Sequence, residues 1–197
     1  IILLGLNSYQ TNKNIGESDK PALVANGIVN SVDNAIGNRN SKVALVEYAD
    51  FQCPACKAWE PAIKEIIKES GSNFVFVYRY FPLAQIHQNA LGAAKAAEAA
   101  ARQGKFWEMH DQLYANQEAW GSALDADQYF SKYAASIGLD MAKYNTDIKD
   151  KAVEDRILSD MKEGNKSGVQ GTPSFYLNGS RLTLSSTEDL KNILKET

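Results

Sequence analysis

The sequence predicts an α/β fold in which a long helical block interrupts a sheet, and three observations lead there. Residues 43–48 (VALVEY) and 73–80 (NFVFVYRY) are short β-branched or aromatic runs, while residues 59–69 between them repeat apolar side chains at helical spacing. Strand signals then vanish from about residue 86 to residue 168. They return after Pro173, where residues 174–177 and 181–184 flank Asn178-Gly179, the strongest short-range hairpin signal.

Each element follows from its own residues. The first two runs and the helix between them form a β-α-β unit, expected to be parallel and right-handed. An Ala-rich run at residues 90–102 opens the helical block, and amphipathic stretches follow at 106–116, 125–137 and 141–164. Residues 186–196 close the chain as a helix, with Ser186 offering the N-cap oxygen and Asp189 three residues further on. A chain of 197 residues that is 44% hydrophobic can bury one core plus a helical subdomain without cross-links. No structural disulfide is needed, so the cysteines are free for chemistry.

There are two of them, Cys53 and Cys56, spaced as CPAC between the first strand and an amphipathic helical run beginning near Lys57. Unpaired N–H groups and the positive end of the helix dipole stabilise a thiolate at a helix N-terminus, which makes the first, more exposed cysteine the attacking and leaving sulfur. The other common meaning of this spacing is a structural zinc site, which requires a second CxxC or a closely spaced His pair. His87 and His110 stand far apart in a helical pattern, so the redox dithiol is preferred and no metal is expected. With 21 Lys and Arg against 24 Asp and Glu, a net charge of −3 and no basic stripe, nucleic-acid binding is excluded.

Four segments in order, VEYADFQCPAC (46–56), YRYFPL (78–83), FWEMHDQLY (106–114) and GTPSFYLNG (171–179), resemble the DsbA-like thiol-disulfide oxidoreductases. More narrowly they resemble the extracytoplasmic branch common in Gram-positive and related bacteria. The resemblance covers about residues 40–195 and implies a thioredoxin fold with an inserted α-helical subdomain. Residues 21–85 and 169–197 would be the thioredoxin-fold domain and 86–168 the insertion. It further implies a cis Thr172-Pro173 bond beside the dithiol, which the low frequency of cis X-Pro bonds would not support alone.

The resemblance also distributes roles. Cys53 and Cys56 would form the redox-active disulfide, with Glu47, six residues before Cys53, as a buried acid that accepts the proton of Cys56 as the mixed disulfide resolves. The alternative for Glu47 is a solvent-facing strand carboxylate. Thr172, Pro173, Pro54, Ala55 and Phe51 would bind substrate, with Trp59 also near the groove. Lys57 is either a charge beside the dithiol or simply solvated, and His87 and His110 are expected as packing or capping residues. No cofactor is called for, since the dithiol is itself the redox group. Expected partners are reduced or unfolded exported proteins and a quinone-linked membrane protein for reoxidation, with the chain acting as a monomer. The family often has a histidine inside the CxxC, whereas this chain has Pro54-Ala55, which leaves its oxidising power open. An oxidase introducing disulfides is the leading reading. A reductase or isomerase with the same site is the first alternative, and a redox-inert thioredoxin-like chaperone or binding module the second.

Residues 1–6 (IILLGL) read as the tail of a longer hydrophobic segment, and residues 1–20 together as the remnant of an anchor or signal followed by a polar tether. The alternative is a buried N-terminal strand. An exported chain would be extracytoplasmic, membrane-anchored or secreted, and would work in an oxidising compartment.

Overall fold

The computed structural model describes residues 28–197, so the expectations placed on residues 1–20 lie outside the described residues. The strands are β1 (Asn34–Gly37), β2 (Val43–Ala49), β3 (Phe74–Tyr80), β4 (Ser174–Leu177) and β5 (Ser180–Arg181), joined in one sheet in the order β1-β3-β2-β4-β5. Only β2 and β3 run parallel. Helix α1 (Pro54–Ser70) connects them, and the long connection from β3 to β4 carries α2 (Ala90–Ala101), α3 (Phe106–Ala115), α4 (Gln117–Gly121), α5 (Asp127–Ser136), α6 (Met141–Asp147) and α7 (Lys151–Lys166). Helix α8 (Thr187–Lys195) follows β5, opened by a reciprocal capping box between Ser186 and Asp189.

The period of two along β2 decides which side chain meets which layer. Leu45 and Ala49 join the larger core, where they pack with Phe76, Tyr78, Tyr80 and the cysteines; Ala44, Val46 and Tyr48 join a smaller core on the opposite face with Val75, Val77 and Tyr176. Glu47 therefore belongs to the face that carries the dithiol. Both faces of β2 and β3 are buried, which explains why these segments read as near-continuous apolar runs.

Three boundaries differ from the sequence expectation. Helix α1 begins at Pro54, because proline is well suited to the first helical position and Cys53 supplies the extended N-cap residue. The stretch 141–164 is two helices, since Asp150 accepts a hydrogen bond from the Ala152 N–H and restarts the helix as α7. The last strand ends at Arg181; Leu182 still donates to the Phe175 carbonyl at 2.9 Å, and Leu182 and Leu184 pack against the larger core. Strand β1 and the short helix α4 were not anticipated: NAIG holds a single β-branched residue, and QEAWG is one turn long. The hairpin forms at Asn178-Gly179, both with positive φ (50° and 82°), and the Asn178 side chain also accepts from the Ala44 N–H at 2.9 Å.

Charged groups tie the helical block to the sheet. Arg79 on β3 donates to both carboxylate oxygens of Asp33 at 3.0 and 2.9 Å, to Glu163 on α7 at 2.6 Å and to the Tyr48 hydroxyl at 3.2 Å. Asp160 on α7 accepts from the Tyr80 N–H at 3.1 Å and pairs with Arg156. At the same junction Gly164 lets α7 lie directly on aromatic rings: a Cβ there would sit 2.9 Å from Phe81 and 3.0 Å from Tyr48. Gly164→Ala should accordingly cost about 1–3 kcal/mol through overpacking. Denaturant unfolding with an unchanged m-value checks this, and a neutral or stabilised variant would contradict the close approach.

Candidate active site

The loop that presents the dithiol is held by hydrogen bonds from distant parts of the chain. The Asp50 carbonyl accepts from the Cys53 N–H at 3.0 Å, and its buried carboxylate accepts from the N–H groups of Gln52 and Leu83 and meets His87 Nδ1 at 2.7 Å. From α4, Gln117 donates to the carbonyls of Phe51 at 2.7 Å and Cys53 at 3.0 Å. Gln52 in turn donates to the Gly121 carbonyl and accepts from the Asn89 N–H. The helical block thus fixes the backbone on both sides of Cys53.

The two sulfurs are unequal. Cys53 is the N-cap of α1 and retains 7% exposure, whereas Cys56 in the first turn is fully buried; both are free thiols. The Cys53 thiol is lowered to about 5, chiefly by the hydrogen bond from the Cys56 thiol, against burial, which raises it; Thr172 and the N–H groups of Cys56 and Ala55 add to the lowering. The helix terminus contributes as the sequence argument required, but Cys56 contributes more. Burial pushes the Cys56 thiol well up, and its donation to Cys53 raises it further.

The Thr172-Pro173 bond is cis, and the Thr172 carbonyl lies 3.4 Å from Cys53 Sγ. As a thiol, Cys53 donates to that carbonyl. As a thiolate it can only accept, and the Thr172 hydroxyl, buried and otherwise without a hydrogen-bond partner, is the neighbouring donor. Pro54 and Ala55 are exposed beside Cys53. A groove of about 380 Å³ runs from Pro173 past Phe175 and Trp59 to residues 181–184, with Trp59 and Phe175 in ring contact at 4.8 Å.

Beneath the dithiol, Glu47 is 1% exposed and one of its carboxylate oxygens has no hydrogen-bond partner. Burial raises its pKa well above the usual carboxylate range, and the charges of Glu60 and Cys53 raise it further. The exposed-strand alternative for Glu47 does not hold. Phe51 requires a correction: it is 1% exposed and stacks on Tyr78 at 4.8 Å and 17°, so it supports the loop from within the core and does not line the groove. Lys57 pairs with Glu118 at 3.1 Å. His87 anchors Asp50, and His110 is buried between Glu60 and Asp111.

Asp50, Gln52, Asn89 and Gln117 escaped sequence reasoning because their partners are remote in sequence and polar loop residues carry no periodic signal. Glu60 was findable: it stands four residues after Cys56, on the same face of a helix. Glu60, His110 and Asp111 bring possible metal-ligand atoms within 4.8 Å of one another, but each imidazole nitrogen already faces a carboxylate, an arrangement suited to a bridging imidazolium.

The acidity of Cys53 makes the stability of the reduced protein pH-dependent. Its folded pKa lies below its unfolded value, so the contribution is fully present above about 8.5 and is lost as pH falls through about 5. The stability of reduced wild type relative to Cys53→Ser should rise with pH across that window; a flat difference in unfolding midpoints would mean an ordinary thiol. In Cys56→Ala the Cys53 thiolate absorbance should titrate at higher pH than in wild type, because the largest lowering contribution is gone. An unmoved midpoint would return that role to the helix terminus.

Comparison with known proteins places this geometry. The family described as Thioredoxin matches residues 30–196. Among solved structures, a thioredoxin-like oxidoreductase from Silicibacter pomeroyi DSS-3 is 26% identical with a TM-score of 0.69, covering 83% of this chain and 91% of that one. The thiol-disulfide exchange protein alpha-DsbA2 from Wolbachia pipientis is 26% identical with a TM-score of 0.70, covering 82% and 85%. A curated relative named Na(+)/H(+) antiporter NhaA 3, from Salinispora tropica, is 42% identical over 149 residues, which is 76% of this chain but 22% of that relative's length.

Proposed function

The chain belongs to the thioredoxin family and has the fold of the DsbA-like thiol-disulfide oxidoreductases, and on that premise we propose that it exchanges disulfides with exported proteins, acting as an oxidase that introduces them. The observation that carries this is the asymmetry of the dithiol beside Thr172-Pro173. One sulfur is acidic and reaches the surface, and the other is buried and held as a thiol. In the oxidative direction a substrate thiolate attacks Cys53 Sγ of the Cys53–Cys56 disulfide. The S–S bond breaks, a mixed disulfide forms at Cys53, and Cys56 leaves with the electron pair and takes the proton of Glu47. A second substrate thiolate then attacks the substrate sulfur of the mixed disulfide, forming the substrate disulfide and releasing Cys53 as a thiolate. The depressed pKa of Cys53 stabilises the reduced enzyme, and a stabilised reduced form is what makes such a dithiol oxidising.

Thr172, Pro173, Pro54 and Ala55 would hold an extended substrate beside Cys53 by strand-like backbone contacts. The same reading takes residues 21–85 with 169–197 as the thioredoxin-fold unit and 86–168 as its insertion. It places the chain outside the cytoplasm as a monomer, with a quinone-linked membrane protein restoring the disulfide. The antiporter name of the curated relatives belongs to proteins of which this chain spans about a fifth to a quarter, and cation transport is not part of the proposal. Among the described residues no helix is long and apolar enough to cross a membrane.

Refolding of a reduced, scrambled substrate and reduction of insulin test the chemistry. Wild type should catalyse both and Cys53→Ala neither, while a double Cys→Ala variant that still bound unfolded chains as well as an equally inactive wild type would indicate a chaperone. Direction is read from the Cys53–Cys56 potential: an oxidase should lie well above the ~−270 mV of thioredoxin, each ~30 mV being worth ~1.4 kcal/mol. A value at or below that figure favours a reductase. Glu47→Gln should slow proton-coupled release of Cys56 on the order of 10²-fold, with Cys53 attack by small alkylating agents little changed; equal slowing of both would remove Glu47 from the mechanism.

A further inference from the structure

When Cys56 takes its proton, Glu47 is left as a carboxylate that is 1% exposed. Burial and the charges of Glu60 and Cys53 favour its neutral form in the reduced protein, so a proton must reach it from water and must leave again before it can accept the Cys56 proton on reoxidation. The approach from Cys53 is where substrate sits, so that proton needs another way.

The residues behind the dithiol form one. Among the described residues six buried side-chain polar atoms lack a protein hydrogen-bond partner, and four of them lie together here: Glu47 Oε2, Tyr78 OH, Glu60 Oε2 and His110 Nε2. Strand register sets Glu47 beside Tyr78, whose ring meets His110 edge-on at 5.4 Å. Glu60 stands one helical turn beyond Cys56 on α1. His110 Nε2 lies 3.4 Å from Glu60 Oε1, an ion-pair distance without hydrogen-bond alignment, and Nδ1 lies 3.1 Å from Asp111 Oδ1. Asp111 is half exposed and pairs with Lys64 at 2.9 Å, at the mouth of a cleft of about 190 Å³. Buried polar atoms in this condition are the positions that internal water bridges.

We propose that Glu60 and His110 conduct the proton between Glu47 and solvent at Asp111, so that Glu47 is recharged from behind while substrate occupies the front. When Cys56 leaves as a thiolate and takes the Glu47 proton, the resulting carboxylate is reprotonated through Glu60 by the His110 imidazolium. His110 regains its proton from solvent beside Asp111, and no electrons move along the row. In the reverse direction the proton leaves the same way.

The electrostatics agree with the geometry. Burial alone would lower the His110 pKa, but its contacts with Asp111 and Glu60 outweigh it and hold the ring protonated above its ordinary range. The groups facing this row are Cys56, Glu60 and Lys64 from α1, Glu47 from β2, Tyr78 from β3, and His110, Asp111 and Tyr114 from α3, with Cys53 above. Lys64 is the cation among them, and it faces Asp111 at the outer end.

This inference rests on the exchange chemistry proposed above, and one experiment separates the two. Rapid mixing of reduced protein with a disulfide-linked peptide reads two separate steps, mixed-disulfide formation by Cys53 and its resolution by Cys56, which must pass its proton to Glu47. In His110→Ala, resolution should slow about tenfold or more, the Cys53 thiolate midpoint should stay in place, and added imidazole should restore the rate. In a Glu47→Gln background the same change should add nothing. Undiminished resolution, slowing that imidazole does not relieve, or an equal further slowing in Glu47→Gln would overturn the relay while leaving exchange intact. Should His110→Ala fail to fold, His110→Gln and the surface variant Asp111→Asn take its place. Both should slow resolution in a buffer-dependent way, and wild-type rates in both would overturn it. A wild-type protein that forms no mixed disulfide overturns the exchange reading and the relay with it.

Discussion

The unequal treatment of two sulfurs three residues apart is the constraint on which the rest of the structure depends. A thiolate at Cys53 requires donors aimed at it and partial access to water, whereas Cys56 must be desolvated enough to remain a thiol and donate. One helical turn separates these environments. Cys53 as N-cap faces outward at the mouth of α1, and Cys56 in the first turn faces the sheet. The hydrogen bond between them is then the largest stabilisation of the thiolate, so the fully buried cysteine tunes its partly accessible neighbour before it ever reacts with it.

That arrangement tolerates little movement, and the helical block supplies the rigidity. Gln117 on α4 holds the carbonyls of Phe51 and Cys53, and Asn89 and Gly121 hold Gln52. Asp50 satisfies the N–H groups of Gln52 and Leu83 from a buried position, with His87 on the oxygen that also takes the Leu83 N–H. The block is itself fastened to the sheet through the Arg79 pair with Glu163 and through Asp160 on the Tyr80 N–H. The insertion therefore positions the dithiol as much as the sheet does.

Burying an acid beneath a dithiol is costly, since an unpartnered carboxyl in an apolar setting is destabilising. Glu47 and the polar atoms around Tyr78, Glu60 and His110 are a local departure from the otherwise apolar packing of the larger core. Such departures are expected where function, and not stability, sets the residue.

Much of the fold was legible in the sequence because its signals are local and periodic. The apolar runs that became β2 and β3, the Ala-rich α2, the Asn178-Gly179 turn and the Ser186 cap each announce themselves within a few residues. Strand β1, the short helix α4 and the division of α6 from α7 did not, since their stability comes from partners elsewhere in the chain or from a single cap. At the site, the spacing of Cys53 and Cys56 and the period of β2 fixed where the sulfurs and Glu47 sit along the chain. Tertiary structure alone decided how deeply each is buried, sent Phe51 into the core instead of the groove, and brought His110 and Glu60 from separate helices into line behind Glu47. Sequence spacing determines which face of an element a side chain takes; what lies against that face depends on the packing of elements far apart in the chain, and pKa and access to water follow from that packing.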